Sequence, residues 1–292
     1  MKEERPAKQL GHAHVGQLEK IAYDIRQDVI KMLVEAGSGH SAGTLGLADI
    51  FTALYFSVLN HNPKNPKWGD RDRLVLSNGH ICPVQYVALA HAGYFRREEL
   101  FTLRKLNTRL QGHPHYGTLP GIENSSGPLG QGLPQAIGMV LASRLDNKRY
   151  YVFCSMGDGE LDEGQIWEAA MFASKNEMGN LIGIVDRNNI QIDGFTEHVM
   201  PLEPLVDKFK AFGWHTQEVD GHNIEAIIDA CNEAKVIYNQ PSVIIAHTIP
   251  GKGVDFMEWQ PGWHGKPPNP EEAKKALREL RTLKGKIVSE YE

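Results

Sequence analysis

The sequence predicts an α/β protein: a three-layer sandwich in which helices cover both faces of a mostly parallel sheet. From Gln131 onward, segments of helical period (133–144, 164–175, 202–212, 224–238) alternate with short apolar segments (150–155, 181–185, 214–219, 242–246). Such alternation gives parallel strands joined by helical crossovers. Two of the strand segments, Leu181-Ile182-Gly183-Ile184-Val185 and Val243-Ile244-Ile245-Ala246, are near-continuous apolar runs, the pattern of strands buried on both faces. The composition, 41% hydrophobic and 23% charged, supplies enough apolar mass for a sizeable core.

The first element is a helix over 17–36, where Leu18, Ile21, Ile25, Val29, Met32 and Leu33 repeat at helical spacing and Gly37 supplies a C-terminal stop. Helices follow at 47–59 and 83–92. Between them, Leu74-Val75-Leu76 reads as a buried strand closed by the turn residues Ser77-Asn78-Gly79. After the alternating region comes a loop rich in Gly, Pro and Trp (250–268), then a charged amphipathic helix from Pro270 to the end. With no internal repeat, low-complexity tract or linker, the simplest organisation is one domain over 1–292, with a C-terminal loop and helix at about 250–292.

The formal net charge of −5 argues against a nucleic-acid binder, which needs a basic face. The three cysteines, Cys82, Cys154 and Cys231, are far apart and lack metal or disulfide spacing, so reduced, buried thiols are expected. The segment 1–8 is charged with no apolar core behind it, and no stretch approaches the ~18 apolar residues of a membrane span. A cytoplasmic protein without membrane or nucleic-acid partners is the expectation.

In a doubly wound sheet, ligands gather at the carboxyl ends of the strands. The strand at 150–155 runs into Met156-Gly157-Asp158-Gly159, and the next strand into Asp186-Arg187-Asn188-Asn189. Asn188 lies thirty positions after Asp158, one βαβ unit, so adjacent strand ends offer an aspartate beside an asparagine. A carboxylate with a carboxamide oxygen is a hard-ligand pair suited to Mg²⁺ or Ca²⁺. The flanking glycines let backbone amides approach a phosphate, which together favours a metal diphosphate site. Taken alone, each motif reads more readily as a turn than as a site.

Four histidines, His40, His80, His113 and His264, sit beside glycines in loops, where packing does not explain them. A cluster of neutral imidazoles suits hydroxyl binding and proton transfer in sugar or carbonyl chemistry. The segment Gly127-Pro128-Leu129-Gly130-Gln131-Gly132 opens a helix but lacks the Lys-Ser/Thr of a P-loop and the spacing of a dinucleotide fingerprint.

In order, Ser38-Gly39-His40, Asp72-Arg73-Leu74-Val75-Leu76-Ser77-Asn78-Gly79-His80, Gly112-His113-Pro114, Gly127-Pro128-Leu129-Gly130-Gln131-Gly132, Gly157-Asp158-Gly159 with Asn188, and Trp263-His264-Gly265 resemble the N-terminal part of transketolases. The Gly-Asp-Gly and Asn pair resembles the wider thiamine diphosphate family; the other segments narrow it to transketolases. The resemblance implies a thiamine-diphosphate-binding fold of the diphosphate (PP) type. It implies that Asp158, Asn188 and the backbone carbonyl of Ile190 ligate Mg²⁺ (or Ca²⁺), that Gly159, His80, Asn188 and His264 contact the cofactor diphosphate, and that Gly127, Pro128 and Leu129 line the cofactor. His40, His113 and His264 would face the substrate, binding hydroxyls and moving protons. Glu163 and Glu168 match glutamates at the family's subunit contact; a solvated helical face is the alternative reading. Ser41-Ala42-Gly43 follows His40 where many members have proline and glycine.

In the family, the carboxylate that activates the aminopyrimidine ring and the basic residues that hold the sugar phosphate lie in a second region, after the one matched here. The chain therefore resembles the N-terminal subunit of a split transketolase, active with a separate C-terminal, pyrimidine-binding subunit in an α2β2 heterotetramer. The implied reaction is reversible transfer of a two-carbon ketol unit from a ketose phosphate such as xylulose 5-phosphate to an aldose phosphate such as ribose 5-phosphate, a step of pentose phosphate metabolism. One alternative is a split enzyme for a modified sugar (a sulfosugar or branched-sugar phosphate). Another is a relative of deoxyxylulose-phosphate synthase or of 2-oxo-acid dehydrogenases, which the Gly-Pro-Leu-Gly-Gln-Gly segment disfavours. A metal-dependent phosphohydrolase leaves the glycine loops unexplained, and a degenerate scaffold leaves the intact Asp158 and Asn188 unexplained.

Overall fold

A computed structural model of the chain describes residues 12–282. The charged segment 1–8 and the far end of the C-terminal helix lie outside the described residues. In chain order, the helix α1 (His12–Ala36) leads through α2 (Ala42–Gly46) and α3 (Ala48–Ala53) to strand β1 (Arg73–Leu76), then α4 (Cys82–His91) and α5 (Gly132–Leu145). There follow β2 (Val152–Gly157), α6 (Gly164–Lys175), β3 (Leu181–Arg187), a small hairpin of β4 (Ile190–Gln191) and β5 (Gly194–Phe195), and the helices α7 (Thr196–Val199) and α8 (Leu205–Ala211). The strand β6 (His215–Asp220), α9 (Ile224–Val236), β7 (Ser242–His247) and α10 (Pro270–Thr282) complete the fold.

The sheet order is β1-β2-β3-β7-β6, with every pairing parallel. Because side chains alternate across a strand, the apolar runs feed two cores. Leu76, Phe153, Ile184 and Ile244 pack with α1, α3, α4, α9 and α10 on one face. Val75, Cys154, Val185 and Ile245 pack with α5, α6 and α8 on the other. Removing one such side chain, as in Ile244→Ala, costs about 2–5 kcal/mol through lost burial and the cavity left behind. All three cysteines are free and buried, and none of the described helices is long and apolar enough to cross a membrane.

The expected helix over 47–59 is present from Ala48 to Val58. It comprises α3, which runs on without interruption into a wide π-helical turn at Leu54–Val58, and α2 precedes it across Leu47. The second strand begins at Val152, two residues later than expected, and reaches Gly157. The helix expected over 202–212 starts at Leu205, after Pro204.

Candidate cofactor site

The carboxyl ends of β1, β2, β3 and β7 converge. After β2, the Asp158 side chain is 1% exposed. Its Oδ1 accepts from the Gly159 N–H at 2.7 Å, and its Oδ2 accepts from the Asn189 N–H at 2.7 Å, Arg187 Nη1 at 3.0 Å and Thr196 Oγ1 at 3.4 Å. Arg187, itself buried, reaches on to Glu197 at 2.5 Å and Glu203 at 3.0 Å. Asn188 donates to Asp186 Oδ2 at 2.7 Å, while its Oδ1 accepts from the Ile190 N–H at 3.0 Å. Thr248, following β7, donates to the other oxygen of Asp186. Burial raises the pKa of Asp158, and burial together with the neighbouring Asp158 charge pushes Asp186 up to about 7. Arg187 compensates Asp158, whereas no cation is paired with Asp186 among the described residues. Two buried carboxyls, the carboxamide oxygen of Asn188 and the adjacent backbone at Ile190 form a donor set of the kind a hard divalent cation takes.

On the other side of Gly43, the histidines gather. A Cβ at Gly43 would stand 3.8 Å from Asp186 Oδ2 and 3.9 Å from Asn188 Nδ2, so the loop after His40 lies directly on the carboxylate corner. His40 and His80 have ring centroids 4.8 Å apart, His80 and His264 5.2 Å, and His40 and His264 5.7 Å. His113, on the Gly112-His113-Pro114 segment, joins them by packing against the glycine-rich loop: its ring lies 3.8 Å from where a Cβ on Gly127 would be. Burial, then His264, Arg104 and His113, depress His40 to about 4. Burial and the other three histidines lower His80, burial and Arg104 lower His113, and burial lowers His264. The cluster is therefore four neutral imidazoles at neutral pH. Several buried polar atoms around it have no hydrogen-bond partner: His40 Nδ1, His264 Nδ1, Asn78 Nδ2, Gln191 Nε2 and Ser126 Oγ. Buried polar groups are ordinarily paired, so a concentration of unpaired donors and acceptors at one end of the sheet fits a polar ligand, and the adjoining donor set fits its metal.

The structure thus brings together Asp158, Asn188, Ile190, Gly159, His40, His80, His113, His264 and Gly127. Pro128 and Leu129 are exposed on the same loop. The amides expected to face a phosphate are already engaged: Gly159 N–H turns to Asp158, and Gly157 N–H donates to Glu160 Oε2 at 3.0 Å. Glu163 and Glu168 stand apart from this cluster, exposed on the segment leading through α6, whose Met171 and Phe172 are also 59% and 47% exposed.

Sequence reasoning missed Glu160, Asp186 and Arg187 as site residues. The first lies two positions after Asp158 and the others directly precede Asn188, so adjacency was the available signal. Close packing shows why glycines recur here. A Cβ on Gly132 would collide with Ser77 Oγ at 2.4 Å, and one on Gly79 with Ser126 Oγ at 2.3 Å.

An α/β sheet with oxygen donors at one corner beside a cluster of histidines has the chemistry to hold a polar cofactor at the carboxyl ends of its strands. Comparison with known proteins gives the family: residues 18–284 match the transketolase, thiamine diphosphate binding domain family, and the chain belongs to it. The chain is 44% identical over 263 residues to the 6-deoxy-6-sulfo-D-fructose transketolase subunit SqwG of Clostridium sp. (strain MSTE9), covering 90% of this chain and 96% of that protein. It is 39% identical to an apulose-4-phosphate transketolase subunit of Phocaeicola vulgatus, over 91% of this chain and 94% of that one. Human transketolase is 37% identical, but the match covers only 42% of its length. Among solved structures, the transketolase of Campylobacter jejuni superposes with a TM-score of 0.83 at 32% identity, covering 95% of this chain and 46% of that one.

Proposed function

We propose that the chain is the diphosphate-binding subunit of a split transketolase, a single domain that completes its active site with a separate C-terminal subunit. One observation carries this reading: Asp158, Asn188 and Ile190 meet three histidines whose ring centroids are 4.8–5.7 Å apart at one end of the sheet. In its support, the chain is equal in extent to relatives named as subunits and spans less than half of one-chain transketolases. The assembly is an α2β2 heterotetramer in which Glu163 and Glu168 stand at the contact between subunits.

Asp158, Asn188 and the Ile190 carbonyl hold Mg²⁺, with Arg187 fixing the Asp158 carboxylate from behind. His80, His264, Asn188 and Gly159 hold the diphosphate, and Gly127, Pro128 and Leu129 line the cofactor. Thiamine diphosphate supplies the carbon nucleophile that accepts and releases the two-carbon unit. His40, His113 and His264 face the sugar. As neutral imidazoles they can accept a hydroxyl proton at one ring nitrogen while donating from the other, so they orient the substrate and carry its protons. The reaction is ketol transfer from a ketose phosphate such as xylulose 5-phosphate to an aldose phosphate such as ribose 5-phosphate. A second reading, favoured by the two subunit relatives named above, replaces one partner sugar with a sulfosugar or a branched-sugar phosphate.

The test is ketol transfer by the purified chain, alone and co-purified with its natural partner, with Mg²⁺ and thiamine diphosphate. The acceptors are ribose 5-phosphate and sulfonated and branched analogues. Turnover is expected only in the mixture. Turnover by the chain alone at the rate of a complete enzyme overturns the split reading, and a preference for a modified sugar selects the second one.

A further inference from the structure

Glu160 lies just beyond the Gly157-Asp158-Gly159 turn and is 2% exposed. Its carboxylate has no cationic partner among the described residues, and burial raises its pKa. It receives hydrogen bonds from three loops. Oε1 accepts from the Gly130 N–H at 2.6 Å and from the Ser77 hydroxyl, while Oε2 accepts from the Gly157 N–H at 3.0 Å. The same Ser77 hydroxyl accepts from the Gly132 N–H at 2.9 Å. One carboxylate thereby joins the loop after β1 that carries His80, the glycine-rich loop before α5 that carries Gly127–Leu129, and the loop after β2 that carries Asp158.

The glycines at 130 and 132 pass the Glu163 Cβ and Ser77 at distances a Cβ would not tolerate, so the glycine-rich loop runs close against the other two. A buried carboxylate without a cation is unfavourable unless its hydrogen bonds are complete, and here they are completed by donors drawn from all three loops. We infer that Glu160 is a positioning residue: it fixes the spacing between the metal corner, His80 and the loop lining the cofactor, and so sets the affinity for thiamine diphosphate without touching it. The inference rests on the function proposed above for its ligand, but its geometric half does not.

The experiment uses the full chain, first without cofactor and then as the complex with its partner. In Glu160→Gln the amide keeps one acceptor oxygen for Gly130 and Ser77 but turns an NH₂ toward the Gly157 N–H. In Glu160→Ala all three bonds are lost. Hydrogen exchange of the cofactor-free chain should therefore speed up at Gly157 in E160Q and at Gly130 and Gly157 in E160A, by about tenfold or more per lost buried bond. Ile228→Ala, a core truncation in α9, is the control for general loss of stability: it should lower the melting temperature without this pattern.

In the complex, thiamine diphosphate affinity with Mg²⁺ should fall at least about tenfold in E160A and less in E160Q, while kcat at saturating cofactor stays within about threefold of the unmutated complex. Where E160A does not fold, E160Q alone decides. Unchanged exchange at Gly157 in E160Q, or cofactor affinity that falls equally in Ile228→Ala, overturns the inference. A wild-type complex that shows the exchange pattern yet binds no thiamine diphosphate overturns the proposed function and the cofactor half of this inference, leaving the link between the loops standing.

Discussion

Two corners of the same sheet edge are built on opposite rules. Around Asp158 and Arg187, the charged groups bond to one another: one carboxylate takes four donors and one guanidinium reaches three carboxylates. Around His40 and His264, ring nitrogens are buried without partners; burial lowers the pKa of His264, and burial with neighbouring charges lowers that of His40. The first corner is held in place by the chain itself. The second stores unsatisfied hydrogen-bonding capacity, which folding alone disfavours and a polar ligand would satisfy. The contrast separates the residues that shape the site from those that wait for what enters it.

The largest expected effect breaks the first corner. Asp158→Ala removes a proposed metal ligand and strips the buried Arg187 of its buried partner, leaving the more exposed Glu197 and Glu203. Removing one member of a buried pair costs about 3–5 kcal/mol; those remaining glutamates put the loss at the lower end. Urea unfolding should show this loss, and the purified complex should retain no thiamine diphosphate. Unchanged retention would place the site elsewhere.

The second corner should respond in the reverse manner. His264→Ala removes a buried ring nitrogen that has no partner, so stability should change by less than about 1 kcal/mol. Cofactor affinity should nevertheless fall by about tenfold or more, the cost of one or two charge-assisted bonds to a diphosphate. A variant that melts early but binds normally would make His264 a structural residue.

A smaller contrast lies in pH dependence. The pKa of His40 is depressed on folding from 6.5 to about 4, so the unfolded chain binds the proton more readily. Its contribution to stability is present above about 6.5 and is lost as pH falls toward about 4. Asp186 has the opposite sign. Its folded pKa is raised from 3.8 to about 7, so its contribution is full below 3.8 and is lost as pH rises through about 7. Relative to the unmutated chain, His40→Gln should therefore gain stability as pH falls from 6.5 to 4, whereas Asp186→Asn should gain it as pH rises from 4 to 7. Denaturant titrations across that window check both signs.

The smallest effect concerns the electrostatics of the second corner. Arg104 has no carboxylate partner among the described residues and donates only to Gly112 O, at 3.4 Å. Its charge contributes to lowering both His40 and His113. Arg104→Gln should raise both imidazole pKa values by a fraction of a unit, as befits a largely solvated charge, read from histidine ring proton resonances. No movement would mean that burial alone keeps these rings neutral.

How much of this was legible in the sequence follows from the range of each interaction. The strands at 181–187 and 242–247 announced themselves because both faces of each are apolar. Asp158 and Asn188 could be paired because strand ends one βαβ unit apart must be neighbours. The four histidines could be suspected together because glycine-flanked imidazoles do not pack a core. What could not be read was which polar groups serve one another. Glu160 meets Ser77 and Gly130 across 83 and 30 residues, and its position in a local Glu-Leu-Asp-Glu run looks like a solvated turn. The β4–β5 hairpin is too short for a periodic signal, and Asn189 enters it with a φ of 61°, a turn conformation that Asn tolerates but does not announce.

If the carboxylate corner holds a divalent cation and the histidine corner the diphosphate bound to it, neither ligand should bind well without the other. Thiamine diphosphate titrated into the complex of this chain with its partner, with Mg²⁺ and after chelation, tests that dependence. Saturable binding should require the cation and shift the ring resonances of His80 and His264. Binding that is indifferent to the cation, or that leaves both histidines unmoved, would contradict the shared site.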